Sequence, residues 1–374
     1  MHGSCRNHRK VLYDQYRKVQ DSMRKKEYGG YLPLETKIDE DYFSKYGSDH
    51  VVRTNSAKAA IYFAVQKMKP TKLYVPYYMC NSVLHMLAGS GVCVEKYWLN
   101  DELLPALEKT DLKEENTQTI GILLVNYFGV MDQKISQLVG QYKNVIIDNS
   151  HAFFCPPILR EDVYNVYSCR KFVGVPDGGY LVSKTSLSLE LEPDRIGHHF
   201  SYLVISPEYS MNEAYTEKIE SDKYFYDNYK GMSRISQGLL SSVDYEFIKQ
   251  KREENFDMLH GLLKAYNQFL IEGNNTEPYL YPFRPKKNYK GNTIDVAALK
   301  KSLVAQKIYT PTLWRELITS EYEETLEYQI SKNTVFLPID QRYDVQDMEY
   351  LAQTVLTLSG ICDSNEGVNT NEKR

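Results

Sequence analysis

TIGILLVNYFGVMDQKISQLVGQYKNVIIDNSH, residues Thr119–His151, is the stretch that decides the fold. Thr119–Tyr127 is a near-continuous apolar run, as expected of a strand buried on both faces. Ile135–Tyr142 carries helical spacing, and Asn144–Asp148 is a β-branched strand that ends in an acid. Strand, helix and strand in that order make a βαβ unit and hence a parallel pair. The alternation continues outward on both sides. Upstream, Asn55-Ser56-Ala57-Lys58 opens a helix that runs to Met68. A strand at Lys72–Pro76, a helix at Cys80–Gly89 and a strand at Cys93–Trp98 follow. Downstream, Val163–Ser168 and Gly179–Val182 read as strands. The expectation is an α/β domain with a mainly parallel sheet over residues 51–232.

Beyond about Leu189 the rhythm is lost. A mostly helical stretch runs from Ser233 to Phe269, with Asp244, Glu246, Lys249, Lys251 and Arg252 assigned to a solvated face. The connector Tyr281-Pro282-Phe283-Arg284-Pro285, a helix at 296–306, a strand at Phe336–Pro338 and a helix at 346–358 complete a smaller α+β domain over 233–362. Residues 1–50 form an N-terminal segment. Within it Leu12, Tyr13, Tyr16 and Val19 suggest a peripheral helix over 5–27, ended by the turn at Tyr28–Pro33. The polar tail 363–374 has the composition of a disordered segment.

The chain has 374 residues, a net charge of -4, 42% hydrophobic and 25% charged residues, proportions that allow a sizeable core. A pI near 6.1 leaves no basic excess for a phosphate backbone, so no nucleic-acid partner is expected. No run of about 18 apolar residues exists, so no membrane span is expected. MHGSCRNHRK is basic but has no apolar segment behind it, which argues against a secretion signal. Cys5, Cys80, Cys93, Cys155, Cys169 and Cys362 are scattered without a CxxC pair, the usage of free thiols in a reducing, cytoplasmic setting. Tyrosine is abundant, 32 residues against 2 tryptophans: either compositional bias or rings lining a polar ligand site.

Three segments carry candidate chemistry. Asp148 ends a strand, where parallel sheets place ligands. A buried carboxylate there needs a cation, such as a protonated cofactor ring nitrogen, unless Asp148 merely caps a following helix. Lys171 lies just past a strand, before the return at Asp177-Gly178-Gly179. In an apolar pocket its amine would lose its charge and could condense with a carbonyl cofactor; otherwise it is a surface lysine beside a hairpin. Asn55–Lys58 opens a helix whose first amides make an anion site, and a plain helix cap explains Asn55 or Ser56 equally well. His198-His199 lacks metal spacing and partner ligands, so no metal site is expected. Arg342 suits either a substrate carboxylate or an ion pair. Trp314 suits packing or the mouth of a site.

The order of anion turn, acid and lysine, with the wording around each, resembles the DegT/StrS-type sugar aminotransferases, fold-type-I enzymes that use pyridoxal 5′-phosphate (PLP). The resemblance rests on GGYLPLE (Gly29–Glu35), NSAKAAIYFAV (Asn55–Val65), VPYYMC (Val75–Cys80), VNYFG (Val125–Gly129), IIDNSHAF (Ile146–Phe153) and SCRKFVGVPDGGYL (Ser168–Leu181). It implies a large PLP-binding domain and a smaller C-terminal domain. It also implies that Lys171 is the imine lysine and proton carrier, that Asp148 pairs the ring nitrogen, and that His151 lies against the ring or beside its phenolic oxygen. Ser168 would bond the phosphate, and Ser56, Ala57 and Lys58 would supply its amides and a cation. Cys80 stands where relatives stack an aromatic ring. Asn228–Arg234 partly matches a segment that relatives bring from a neighbouring subunit. The implied activity is transfer of an amino group from glutamate to a keto, nucleotide-linked sugar in polysaccharide or glycan biosynthesis, by a cytoplasmic homodimer. Histidine replaces the lysine in relatives that dehydrate sugars, so Lys171 argues against dehydration. Other PLP chemistry (a lyase or amino-acid-modifying reaction) and a non-catalytic scaffold are the alternatives.

Overall fold

A computed structural model describes residues 30–32, 34–107, 119–271, 277–288 and 290–361. The helix expected over 5–27, the tail 363–374, Pro33, Cys5 and Cys362 lie outside the described residues. The chain divides into two units, Met1–Thr36 and Lys37–Arg374. The described residues of the first have no helix or strand; everything below concerns the second.

The elements in chain order are β1 (Val51–Thr54), α1 (Ala57–Met68), β2 (Lys72–Pro76), α2 (Asn81–Ala88), β3 (Cys93–Tyr97), β4 (Ile120–Val125), α3 (Asp132–Val139), β5 (Val145–Asn149), β6 (Val163–Ser168) and β7 (Gly179–Ser183). The second half adds α4 (Ser201–Glu208), α5 (Met211–Tyr224), α6 (Arg234–Leu240), α7 (Tyr245–Leu263), β8 (Leu280–Phe283), α8 (Val296–Ala305), α9 (Leu326–Asn333), β9 (Val335–Pro338) and α10 (Val345–Leu358). The first seven strands form one sheet in the order β1-β7-β6-β5-β4-β2-β3. The run from β6 to β3 is parallel, while β7 is antiparallel to β6 and β1. This is the α/β architecture expected from the alternation.

The apolar runs explain the centre of the sheet. All six residues of β4 and of β6 are buried, as are Val145, Ile146 and Ile147 of β5. Edge strand β3 is mostly exposed instead, with Cys93, Glu95 and Lys96 open to solvent and Tyr97 buried. Asp148 falls where β5 emerges from this core, opposite Val125 of β4 and Val166 of β6. The hairpin of β8 and β9 serves two cores by alternation. Leu280 and Phe336 face the large core, whereas Tyr281, Phe283, Val335 and Leu337 pack with α7, α8 and α10 in a second one.

Arg252 overturns part of the expected solvated face of α7: it is 1% exposed. The tyrosines include major packing groups. Tyr167 and Tyr180 are fully buried with Phe43, Phe153, Phe154 and Phe172, an aromatic cluster under the turn that carries Lys171.

Candidate active site

The carboxyl ends of β4, β5 and β6 open into a cavity of about 660 Å³. Lys171, Asp148, His151, Ser168, Ser56, Ala57, Lys58 and Cys80 all line it. Eight positions spread over 116 residues of chain therefore meet at the end of one sheet, where α/β folds bind ligands.

Lys171 ends a single helical turn, Cys169–Lys171, straight after β6. Burial pulls its amine below the ordinary value, and the Asp148 carboxylate acts in the opposite direction. The turn is held from behind. Arg252 donates from Nη2 to the Lys171 carbonyl at 3.3 Å and from Nη1 to the carbonyls of Pro278 and Tyr279, both at 3.1 Å. Its guanidinium lies 4.5 Å from the Phe172 ring centre. Burial lowers its pKa to about 10. One buried cation thus fixes both the lysine turn and the segment that brings Tyr279 into the cavity.

Asp148 caps no helix. Its Oδ1 accepts the Ser150 N–H at 2.9 Å, a local turn that reverses the chain toward His151. His151 is 4% exposed, and burial, then the Lys171 charge, hold its pKa well below 6.5. The Phe128 amide donates to His151 Nδ1 at 3.2 Å. The ring is therefore neutral and its proton sits on Nε2. Tyr279 and Trp314 stack on the ring, with centroids 5.1 and 5.7 Å away and both planes tilted by 27°. The NYFG wording now has a cause. Gly129 adopts φ +80°, and a Cβ there would collide with the His151 carbonyl, so only glycine lets this turn close over the histidine.

At the anion turn, Ser56 caps α1 by accepting the Ala59 N–H at 3.1 Å. The next amides, of Ala57 and Lys58, begin the helix and have no carbonyl within it to bond. Gly179 accounts for half of the Gly178-Gly179 pair: a Cβ there would lie 2.5 Å from the Ala57 nitrogen, so β7 presses directly on the start of α1. Lys58 is 8% exposed and its amine donates to the Tyr226 carbonyl. Asn55 Nδ2 donates to Asp194 Oδ2 at 2.8 Å and to the Asn228 carbonyl at 3.1 Å. The Asn55 amide donates to the Lys230 carbonyl at 2.9 Å. In this chain, then, Asn228–Lys230 braces its own anion turn.

Cys80 is exposed, with Sγ 3.1 Å from Ser82 Oγ. Trp314 is both packing and lining, since it meets Tyr78 at 4.3 Å and borders the cavity. Arg342 pairs with Asp340 through Nε and Nη2 at 2.7 and 2.9 Å. His199 stacks on Tyr224 at 3.9 Å. Among the described residues no cluster of metal-ligating side chains exists, and no helix is long and apolar enough to cross a membrane. Four described cysteines, Cys80, Cys93, Cys155 and Cys169, are free thiols.

Sequence reasoning missed one whole wall. Tyr202 and Leu203 of α4, Lys218 and Asp222 of α5, Phe225 and Tyr226 all line the cavity, as does Arg170 facing them. It also missed Tyr279. Tyr279 lies just before β8, and nothing local marks it or α5 as lining a site.

No family model and no curated protein matches the chain by sequence. Solved structures do match by shape. The putative sugar aminotransferase Spr1654 from Streptococcus pneumoniae, in its PMP form, is 15% identical with a TM-score of 0.58, covering 85% of this chain and 88% of that one. PseC from Helicobacter pylori, an aminotransferase in pseudoaminic acid biosynthesis, is 15% identical with a TM-score of 0.57, covering 85% and 89%. A DegT DnrJ EryC1 StrS aminotransferase from Brucella abortus is 14% identical with a TM-score of 0.57, covering 85% and 88%. This chain has the fold of the DegT/StrS-type sugar aminotransferases.

Proposed function

We propose that the chain is a PLP-dependent aminotransferase that moves an amino group from glutamate to the keto group of a nucleotide-linked sugar, in polysaccharide or glycan biosynthesis. The reading extends to a homodimer working in the cytoplasm. The observation that carries it is the meeting of Lys171 and Asp148 in one cavity with Ser168 and the start of α1. The fold shared with PLP- and PMP-form sugar aminotransferases supports it.

The residues present suit the cofactor. Burial favours the neutral, nucleophilic amine of Lys171. Ser168 and the amides of Ala57 and Lys58 are the donors for its phosphate. Asp148, emerging between two parallel strands, is the acid for the ring nitrogen. When bound, PLP supplies a carbonyl that takes up amines and a protonated ring that draws electrons from them. Lys171 Nζ is then the group that moves a proton between substrate atoms. His151 stays neutral and offers an Nε2 proton, because its Nδ1 is occupied by the Phe128 amide. Trp314 and Tyr279 pack against its ring and border the cavity.

The test has two steps. Protein incubated with PLP, reduced with borohydride and digested should carry the cofactor mass on the Lys171 peptide, and Lys171→Ala should carry none. Glutamate added before reduction should change the visible absorbance and prevent the covalent capture. Capture at another lysine would remove the assignment. Capture at Lys171 with no response to glutamate would point to other PLP chemistry.

A further inference from the structure

Three of the described arginines hold a carboxylate in the same way. Arg53, Arg160 and Arg342 each turn the edge bearing Nε and Nη2 toward both oxygens of one aspartate. The distances are 2.7 and 2.9 Å to Asp41, 2.5 and 3.1 Å to Asp162, and 2.7 and 2.9 Å to Asp340. This fork is the strong, directional form of the pair.

Arg170 departs from it. Its Nη2 donates to Asp222 Oδ1 at 2.9 Å, but its Nε is buried without a partner. The second oxygen of Asp222 is taken by Lys218 Nζ at 2.5 Å. One carboxylate is thus stretched between two cations, and half of the arginine fork stays empty. Leaving a buried charged donor unmade is costly. All three residues line the cavity that contains Lys171.

The two cations and the acid are not held alike. Arg170 is only 17% exposed and lies 4.8 Å from the Phe225 ring centre, with Tyr202 adding to its hold. The Asp222 side chain is 53% exposed and the Lys218 side chain 41%. The half-exposed Lys218–Asp222 pair contributes little stability, so Asp222 can leave Lys218 at small cost, and a ligand carboxylate arriving on Arg170 replaces the bond that Asp222 gives up. A ligand carboxylate in its place would fill both Nε and Nη2 of Arg170 and keep Lys218.

We propose that Arg170 and Lys218 form the carboxylate site for the amino donor, with Asp222 occupying it until the donor arrives. The inference rests on the aminotransferase reading, and the ligand class is an amino acid, or a dicarboxylate of similar length.

Glutarate, a dicarboxylate without an amine, is a non-reacting probe. Wild type, Lys218→Met, Arg170→Gln and Asp222→Asn, each loaded with PLP, are titrated with glutarate by calorimetry, and PLP affinity is measured separately on each. Lys218→Met and Arg170→Gln should each weaken glutarate by about tenfold or more, the loss of at least one charged hydrogen bond. Asp222→Asn, which removes the competing anion, should tighten it. PLP affinity should stay within about twofold throughout, which also shows that each variant is folded. Unchanged glutarate affinity in the two cation variants would falsify the proposal. So would a selective loss of PLP affinity in them, which would assign the cations to the cofactor phosphate instead. Wild type that takes up no PLP would overturn the aminotransferase reading and this site with it, and that failure is visible before glutarate is added.

Discussion

The cavity has two walls of different construction. One is the sheet end. Asp148 emerges between two strands, His151 accepts a backbone amide, Ala57 is pressed by β7, and the Lys171 turn hangs on a buried arginine. The other is the α4–α5 cap, where α5 buries only Ala214 and Ser221 and meets the cavity through half-exposed Lys218 and Asp222. The groups on the first wall are part of the fold, so they are preorganised before any ligand arrives. The groups on the second are laid over it and can yield. Substitution in the first wall should therefore damage folding, and substitution in the second should leave folding intact and change only ligand affinity.

The severest test of that contrast is a single methyl group on the sheet wall. In Gly129→Ala the new Cβ meets the His151 carbonyl and lies 2.9 Å from the Pro278 Cα, at a φ of +80° that alanine resists. In Gly179→Ala it lies 2.5 Å from the Ala57 nitrogen. Neither obstacle is a flexible side chain, so backbone must move. Each should lower unfolding stability by about 3 kcal/mol or more, read as the urea midpoint. Arg252→Met comes next. It leaves the carbonyls of Lys171, Pro278 and Tyr279 without their donor, at a cost of about 2–3 kcal/mol, and should loosen PLP capture at Lys171 as well.

Acidity offers a gentler probe of the same wall. His151 is neutral when folded, with a pKa well below the 6.5 of an unfolded histidine. The unfolded chain then binds the extra proton, so this group's stabilisation is present above pH 6.5 and is lost as pH falls below it. The slope approaches about 1.4 kcal/mol per pH unit. Glu277, two residues before Tyr279, works the other way. Burial pushes its carboxyl up to about 7 from 4.5, and its Oε2 has no partner. Its contribution is present below pH 4.5 and is lost as pH rises through 7. The two slopes oppose each other over the shared range. Glu277→Gln should therefore steepen the loss of stability on acidification and raise the urea midpoint above pH 7. An unchanged profile would mean that Glu277 is not part of the rigid wall.

This division of labour also explains what was legible in the sequence. β4 and the first three residues of β5 are continuous apolar runs because both faces are covered, and that pattern is local, whereas β6 is equally buried with Asn165 and Ser168 inside it. The residues at their ends follow by counting. The cap gives the opposite signal. Along α5, Met211, Tyr215 and Ile219 recur at every fourth position, yet they are 46%, 65% and 36% exposed, while Ala214 and Ser221 are buried. Its apolar stripe faces away from the rest of the unit, so a reading that sends apolar residues inward would turn the helix over. The pairing of Arg170 with Asp222 spans 52 residues and has no local trace. Arg252 misled for a related reason. It sits among Lys249, Lys251, Glu253 and Glu254, and only its burial against three carbonyls separates it from that charged run.

The smallest expected effect is the most informative about the cap. Lys218→Met removes one of two cations on Asp222, and Asp222→Asn removes the shared anion. Both side chains are more than two-fifths exposed, with water ready to replace what is lost. Exposed pairs of this kind are worth about 0–1 kcal/mol, so both variants should unfold within about 1 kcal/mol of wild type. The Lys218–Asp222 pair also spans one helical turn, an arrangement worth only a few tenths of a kcal/mol in isolated helices. Asparagine at 222 also keeps an Oδ1 that can accept from Arg170 Nη2, so the buried guanidinium is not left bare, and a larger loss would mean that the cap depends on the charge of Asp222 for its stability. A cap built to exchange Asp222 for a ligand must keep the exchange cheap, and near-neutral variants in the urea titration are the signature of that design. A loss of several kcal/mol in Asp222→Asn would place α5 with the sheet wall and erase the distinction between the two.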